Sequence, residues 1–426
     1  MASFFIPLTG LKADSTALNT IANNLANMNT TAFKSQTSEF SDLFYQQIGL
    51  AGSGDPIQQG AGTRVSTIGT DYTQGSINST GTATDVALDG NGFFVVGNDN
   101  ALDLTRAGNF SLDANGNLIT QDGLNVMGYS ATNGVVNTSS PLTSISIPVG
   151  QVESPNATTT MNMTANLDAT ATAGTSFPGQ ITIYDSLGVS HIATVTYAQT
   201  GTNTWSYSVA LPASDFASGT STPVTGSMTF DSSGNLTSVT PAGAGGAETV
   251  GTAAGDVSSI PVSFTGLADG AADLNMQWNL LGTGGTPTIS QVAAASAVSA
   301  TEQNGFASGQ YQSFAINADG TISATFSNGQ KLTVGQLALG NVTNLQGLRM
   351  LGNGDYQTTL ASGEVSIAAP GTAGLGKLEG GALEQSNVNI SDEFANLIIA
   401  QRAFEANSKA VTTFDTVTQD TIDMIH

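Results

Sequence analysis

The sequence contains no cysteine, so disulfides, zinc–thiolate sites and thiol nucleophiles are all excluded. Charge is scarce as well: 10% of the 426 residues are Asp, Glu, Lys or Arg, against roughly 25% in ordinary soluble domains. Cations are the rarest of these. Nine Lys and Arg stand against 32 acidic residues, giving a net charge of −23, and none lies between Arg106 and Lys331. So little basic charge cannot neutralise phosphates, which excludes nucleic acid as a partner and disfavours anionic membranes. No apolar run approaches the ~18 residues of a membrane span, so no membrane insertion is expected. The N-terminus is apolar before its first cation, Lys12, and lacks a long hydrophobic region, unlike a cleavable secretory signal.

What the chain has instead is a 39% hydrophobic content with 50 glycines and abundant Ser, Thr and Asn. That content is enough for real cores, and the polar mixture suits β-structure with tight turns. The two ends depart from this pattern. From about Pro7 to Met28 apolar residues recur at helical spacing: Leu11, Leu18 and Leu25 every seven residues, with Ile21 and Met28 between. From Ser391, placed as the N-cap ahead of Asp392 and Glu393, Leu397, Phe404, Val411 and Ile425 share one seven-residue lattice. Phe394 and Phe414 lie close to the same face. No Gly or Pro interrupts Phe394 to Ile425, so one helix of about thirty residues is expected. A single-striped helix of that length needs a partner, and the N-terminal stripe is the candidate. The longer helix must then leave part of its stripe uncovered, which marks association.

The N-terminal helix carries an oddity. Asn19, Asn23, Asn24 and Asn27 crowd it, although each Asn costs about 0.6 kcal/mol relative to Ala.

The middle of the chain reads as β. DVALDGNGFFVVG, from 85 to 97, sets apolar runs on either side of a Gly-Asn-Gly turn. NFSLDANGNLIT, MTFDSSGNLTS and SFAINADGTISA, starting at Asn109, Met228 and Ser313, repeat one hairpin scheme of aromatic, Asp or Asn, turn Gly, then Leu or Ile. From about 149 to 302 the chain is richest in Thr, Ser, Ala and Gly, with Ile181, Ile183, Tyr184, Trp205, Tyr207 and Trp278 as core-sized side chains.

Chemistry-bearing patterns fail on inspection. DANGNL has Leu118 and Leu124 where a calcium loop needs Gly and Glu. His191 is the only histidine before His426, no G-x-S-x-G exists for a triad, and no other nitrogen ligand is at hand for zinc. Gly376-Lys377 is followed by Leu378, not Ser or Thr, so no phosphate loop forms. No carboxylate pair stands out for glycoside chemistry. No catalytic residue, cofactor or metal ligand is assigned, and an enzyme is not expected.

The N-terminal segment ANNLANMNTTAFK resembles the signature N-N-x-A-N-x-x-T-x-G-F-K of the flagellar rod and hook axial protein family. Asn23, Asn24, Ala26, Asn27, Thr30, Phe33 and Lys34 match, while Ala32 replaces the glycine. The segment from Leu378 to Ile425 is similar to the family's closing segment. DGNGFFVV and LTRAGNFSLDANGNLITQDGLNVMGY resemble its shared β domain. MTANLDA at 163–169 and ITIYDSLGVSH at 181–191 resemble the insert of its hook members, which the shorter rod members lack.

The expected fold is mixed and mainly β. A discontinuous terminal α-helical coiled-coil domain (1–33 and 389–426) joins two nested β domains, one inserted into the other. These are a shared middle domain (73–148 and 303–361) and an outer insert (149–302). Gly-rich connectors (34–72 and 362–388) link the helical ends to the β region. The resemblance implies a structural subunit exported through the type III apparatus to the extracellular hook, polymerising into the flexible tube between rod and filament. It implies a homopolymer whose other partners are the distal rod protein, the hook cap protein, the hook–filament junction protein and the export apparatus. A distal rod subunit and a secreted adhesin or glycan-binding β protein are the alternatives. The expected assembly interface is Leu11, Leu18, Ile21, Asn23, Asn24, Leu25, Asn27, Phe33, Phe394, Leu397, Phe404, Val411, Phe414 and Ile425.

Overall fold

The computed structural model describes residues 5–52, 55–98, 101–243 and 246–424. The fold is mainly β with a helix at each end, and the chain divides into two compact units. The first is Met1–Val149, Ser313–Thr325 and Lys331–His426; the second is Gly150–Gln312 and Phe326–Gln330. The first unit takes in the helical ends, the segments read as connectors and much of the middle β region.

In the first unit, α1 spans Phe5–Ala26 and α2 spans Ile390–Asp423. The cap of α2 is Asn389 rather than Ser391: the Asn389 side chain accepts from the Ser391 N–H, two residues earlier than the sequence indicated. The 34–72 segment is not irregular. Gln36–Asp42 pairs antiparallel with Thr63–Thr70, and Gln46–Leu50 pairs with Pro56–Gln59. Its Gly residues serve turns and edges between strands whose Thr, Val and Ile favour extended backbone.

The central strands are Phe93–Asn98, Ala101–Thr105, Asn125–Thr132 and Lys331–Leu337. Their core gathers Phe93, Val95, Leu104, Met127, Val342 and Tyr356, with the Phe93 and Tyr356 rings edge-to-face at 5.4 Å. The runs flanking Gly90-Asn91-Gly92 do not form a hairpin with each other. Val86–Asp89 pairs with Lys377–Gly380, whereas Phe93–Asn98 pairs with Ala101–Thr105 and Asn125–Thr132. The Arg106 guanidinium explains the departure, since its Nη1 donates to the carbonyls of Gly90 and Gly92 at 2.8 Å each. Both glycines have positive φ, 113° and 121°, and turn those carbonyls towards the cation.

The second unit is a sandwich. One sheet runs Ser176–Tyr184, Ser190–Gly201, Thr204–Ala210, Val224–Phe230, Leu236–Pro241 and Glu248–Thr249. The other is built around Thr160–Asp168, which pairs parallel with Leu274–Asn279 and Ile289–Val292 and antiparallel with Ala297–Gln303. Strict alternation of burial along Thr160–Asp168 and Thr204–Ala210 gives each sheet one inner face. Ile181, Ile183, Trp205, Tyr207 and Trp278 meet there as expected, while Tyr184 stays half-buried. The Tyr207 and Trp278 rings meet edge-to-face at 5.5 Å.

The repeated turns share one device. Asp113 Oδ1 accepts the N–H groups of Asn115 and Asn117, and Asp231 Oδ1 those of Ser233 and Asn235. Gly116 and Gly234 follow at φ near +83° and +84°. Asp113 is thereby committed to its own turn, as its lowered pKa, caused first by the Asn117 hydrogen bonds, reflects.

Asp355 opens a strand paired with Thr105 and is buried. Burial pushes its carboxyl up to about 6, with Asp122 and Asp103 adding repulsion and a Thr105 hydrogen bond opposing. A folded pKa above the unfolded value means that the fold binds the proton more tightly. Stability of the first unit therefore falls as pH rises from about 4 to 6. Asp355→Asn is expected to stabilise at pH 7 by about 1–2 kcal/mol and to change little at pH 4. Urea unfolding at both values checks this.

Candidate assembly interface

The two helices run antiparallel. Asn24 Nδ2 donates to Glu393 Oε1 at 2.8 Å, and Asn407 Nδ2 donates to Asp14 Oδ2 at 2.8 Å. Asn407 also packs over Gly10, where a Cβ would approach its amide nitrogen to 2.7 Å. Extending these pairings along two straight helices sets Phe5 opposite about residue 412–416 of α2. Beyond that point α2 has no helical partner among the described residues.

The predicted stripe is only partly covered. Leu11, Leu18, Ile21, Leu25, Leu397 and Val411 are half-buried. Phe394, Phe404 and Phe414 are exposed, and Ile425 lies outside the described residues. The exposed set also includes residues the lattice missed: Leu8, Ile398, Ile399, Val417, Ile422 and Met424, the last 80% accessible. Ala400 alone is fully buried among the described residues of α2.

The asparagines divide by role. Asn24 is wholly buried and is satisfied inside its own chain: Nδ2 also donates to the Gln36 carbonyl, and Oδ1 accepts the Gln36 N–H at 2.9 Å. One amide thus fixes α1 against both the first strand and α2. Thr20, one turn earlier, adds a hydroxyl contact to Ser38 at 2.9 Å. Asn27 closes the helix end by donating to the Asn23 carbonyl and accepting from Thr30 Oγ1. Asn23 remains exposed, and Phe33 is half-buried. Asn23, Asn27, Phe33 and Tyr356 line one open cavity together with Met350.

Ala32 occupies the glycine position of the signature with φ +54°, and its N–H donates to the Glu384 carbonyl at 2.9 Å. The turn is therefore retained with a side chain that disfavours it.

Two residues on, Lys34 enters a buried ion triad. Its Nζ reaches Glu384 Oε1 at 2.6 Å and the Thr73 carbonyl at 2.7 Å. Arg106 Nε lies 3.3 Å from Glu384 Oε2, and the Gly75 N–H donates to Oε1 at 2.9 Å. All three charged side chains are nearly inaccessible. Burial pulls the Lys34 ammonium below the ordinary lysine range, against the opposing pull of Glu384.

A second apolar surface went unread in the sequence. The Gln46–Leu50 and Pro56–Gln59 hairpin exposes Ile48, Leu50 and Ile57, and Phe44 and Tyr45 precede it with Phe44 95% accessible. Its Gln and Gly content masked an apolar cluster that only the strand pairing assembles.

Comparison with known proteins matches residues 151–306 to the flagellar basal body protein FlaE D2 domain and 87–166 to the flagellar hook protein FlgE/F/G D1 domain. Residues 379–424 match the flagellar basal body rod FlgEFG protein C-terminal, and 8–34 the flagella basal body rod protein. The chain is 32% identical to the flagellar hook protein FlgE of Treponema pallidum over 98% of both chains. It is also 32% identical to that of Salmonella typhimurium, over 99% of this chain and all of the relative. Its fold is similar to the crystal structure of Helicobacter pylori flagellar hook protein FlgE2, with TM-score 0.53 at 16% identity. That match covers 71% of this chain and 99% of the other.

Relief of the left-handed alanine is expected to help: Ala32→Gly should stabilise the first unit by about 0.5–1 kcal/mol. Glu384→Gln should cost about 3–5 kcal/mol by stranding two buried cations. Thermal unfolding of both variants checks the pair of signs.

Proposed function

The chain belongs to the flagellar hook protein family and is a structural subunit of the bacterial flagellar hook, and we propose that it polymerises there through its terminal helices. The observation that carries this reading is the apolar surface of α2 left uncovered within one chain, continuing past the end of α1. Uncovered apolar area on this scale is supported by contact with further copies. Homopolymerisation into a helical tube supplies those copies, with the terminal helices packed innermost. The half-buried and exposed stripe residues, together with the Phe44–Ile57 hairpin, are the surfaces we assign to contacts between subunits. Asn24 takes a different part, since its bonds close within the chain and position the helix for those contacts.

The second unit carries no Lys or Arg and ten Asp and Glu between Gly150 and Gln312. In the tube we place it towards solvent, where like charge limits adhesion between neighbours at short range. Weak lateral contact of this kind lets a joint bend while the helical layer holds. The distal rod protein, the cap protein and the hook–filament junction protein are its proposed neighbours along the axis. We propose delivery through the flagellar export apparatus. A structural role of this kind calls for no catalytic group.

Val417 and Ile422 lie beyond the reach of α1, so charging them spares the single chain. The double change Val417→Asp with Ile422→Asp is expected to leave circular dichroism of the monomer unchanged. It should raise the critical concentration for tube formation at least roughly tenfold, from about 1.5–3 kcal/mol of lost burial per side chain. Unchanged tubes in sedimentation and electron microscopy would remove α2 from the interface.

A further inference from the structure

We propose that Asp185, His191 and Asp269 form a binding site for a divalent transition metal of the zinc class, held within the second unit. His191 was set aside in the sequence for want of nitrogen partners, but the fold supplies carboxylates. His191 Nε2 lies 3.1 Å from Asp185 Oδ2 and 3.8 Å from Asp269 Oδ2. One donor atom from each of the three residues falls within 4.8 Å of the others. Three corners of a zinc tetrahedron with metal–ligand distances near 2.0–2.1 Å stand about 3.3 Å apart. The observed separations bracket that value.

The other ring nitrogen provides an independent sign. His191 Nδ1 meets Asp215 Oδ2 at 2.8 Å. A carboxylate accepting from Nδ1–H fixes the tautomer that turns the Nε2 lone pair outward, the arrangement that orients histidine ligands towards metals. When Nδ1 carries the proton, Nε2 and the two carboxylate oxygens are three acceptors converging with no donor among them; a proton on Nε2 instead goes to Asp185 Oδ2 at 3.1 Å. Such a convergence requires a cation or an added proton. The unit's sequence contains no Lys or Arg to answer it.

The scaffold holds the ligands before any ion arrives. Asp185 is fully buried, and its Oδ1 accepts the N–H groups of Leu187 and Val189 at 2.8 and 2.9 Å, which leaves Oδ2 for the centre. His191 sits at the start of its strand in register with Ile183. The Asp215 and Asp269 segments are laced together by Ala268 N–H to the Asp215 carbonyl and Ala217 N–H to the Gly266 carbonyl, each at 3.0 Å. Ala272 N–H reaches Ser186 Oγ at 3.0 Å and ties that loop to the Asp185 turn. Asp269 is partly exposed, which gives an ion an entry path and leaves the fourth position to water. Bound there, the ion joins the Asp185–His191 hairpin to the Asp269 loop and steadies the end of the sandwich.

The test uses the full chain, stripped with chelator and dialysed against zinc. One equivalent of zinc per chain is expected by elemental analysis, with an unfolding midpoint of the second unit raised by about 5 °C or more at saturating metal. Asp269→Asn, on the exposed side of the cluster, should keep the metal-free midpoint within about 2 °C and lose both the bound zinc and the shift. Asp231→Asn, in a turn remote in sequence, should lose neither. Equal zinc retention and equal midpoint shift in the wild-type and Asp269→Asn chains would overturn the proposal. Absence of any zinc-dependent shift in the wild-type chain would do the same, leaving an imidazolium clamped by carboxylates.

Discussion

The architecture of the first unit hangs on one buried carboxylate. Glu384 lies 350 residues from Lys34 and binds it at 2.6 Å, while Arg106 approaches the other oxygen from the central sheet. Desolvating three charges is costly, so this triad is better understood as a device for specificity than as a source of net stability. Its geometry tolerates one arrangement: the chain leaving α1, the Gly90–Gly92 corner and the strand leading to α2 must all arrive together. The placement of both helices in the first unit depends on that convergence.

Polar and apolar groups then do separate work. Inside the chain, amides and hydroxyls set register: Asn24 to Gln36 and Glu393, Thr20 to Ser38, Asn407 to Asp14. These bonds have directional requirements that a greasy contact lacks, so they fix where α2 lies along α1. The apolar groups of α2 are left mostly outward, uncovered within the single chain.

Legibility in the sequence followed the range of the interactions. Helices at both ends and the Asp–Gly turns were readable because each rests on periodicity or on contacts within five residues, and the second unit's core was readable from its few large side chains. The split of DVALDGNGFFVVG into strands with different partners was not, because Arg106 Nη1 decides it from 14 and 16 residues away. Nor was the inward role of Asn24, whose partner Glu393 is 369 residues distant. Asn389 displaced Ser391 as cap because either side chain could satisfy the first N–H groups, and local pattern does not choose between them. His191 looked solitary for the same reason: its three carboxylates come from separate turns.

The segregation of cations has a practical corollary. Every lysine and arginine belongs to the first unit, and trypsin finds no site from Ala107 until Lys331. Amine-directed dyes and crosslinkers will therefore report on one half of the molecule and stay blind to the other. Lysine crosslinks therefore read only the first unit, and a carboxyl-directed reagent is needed to see the second.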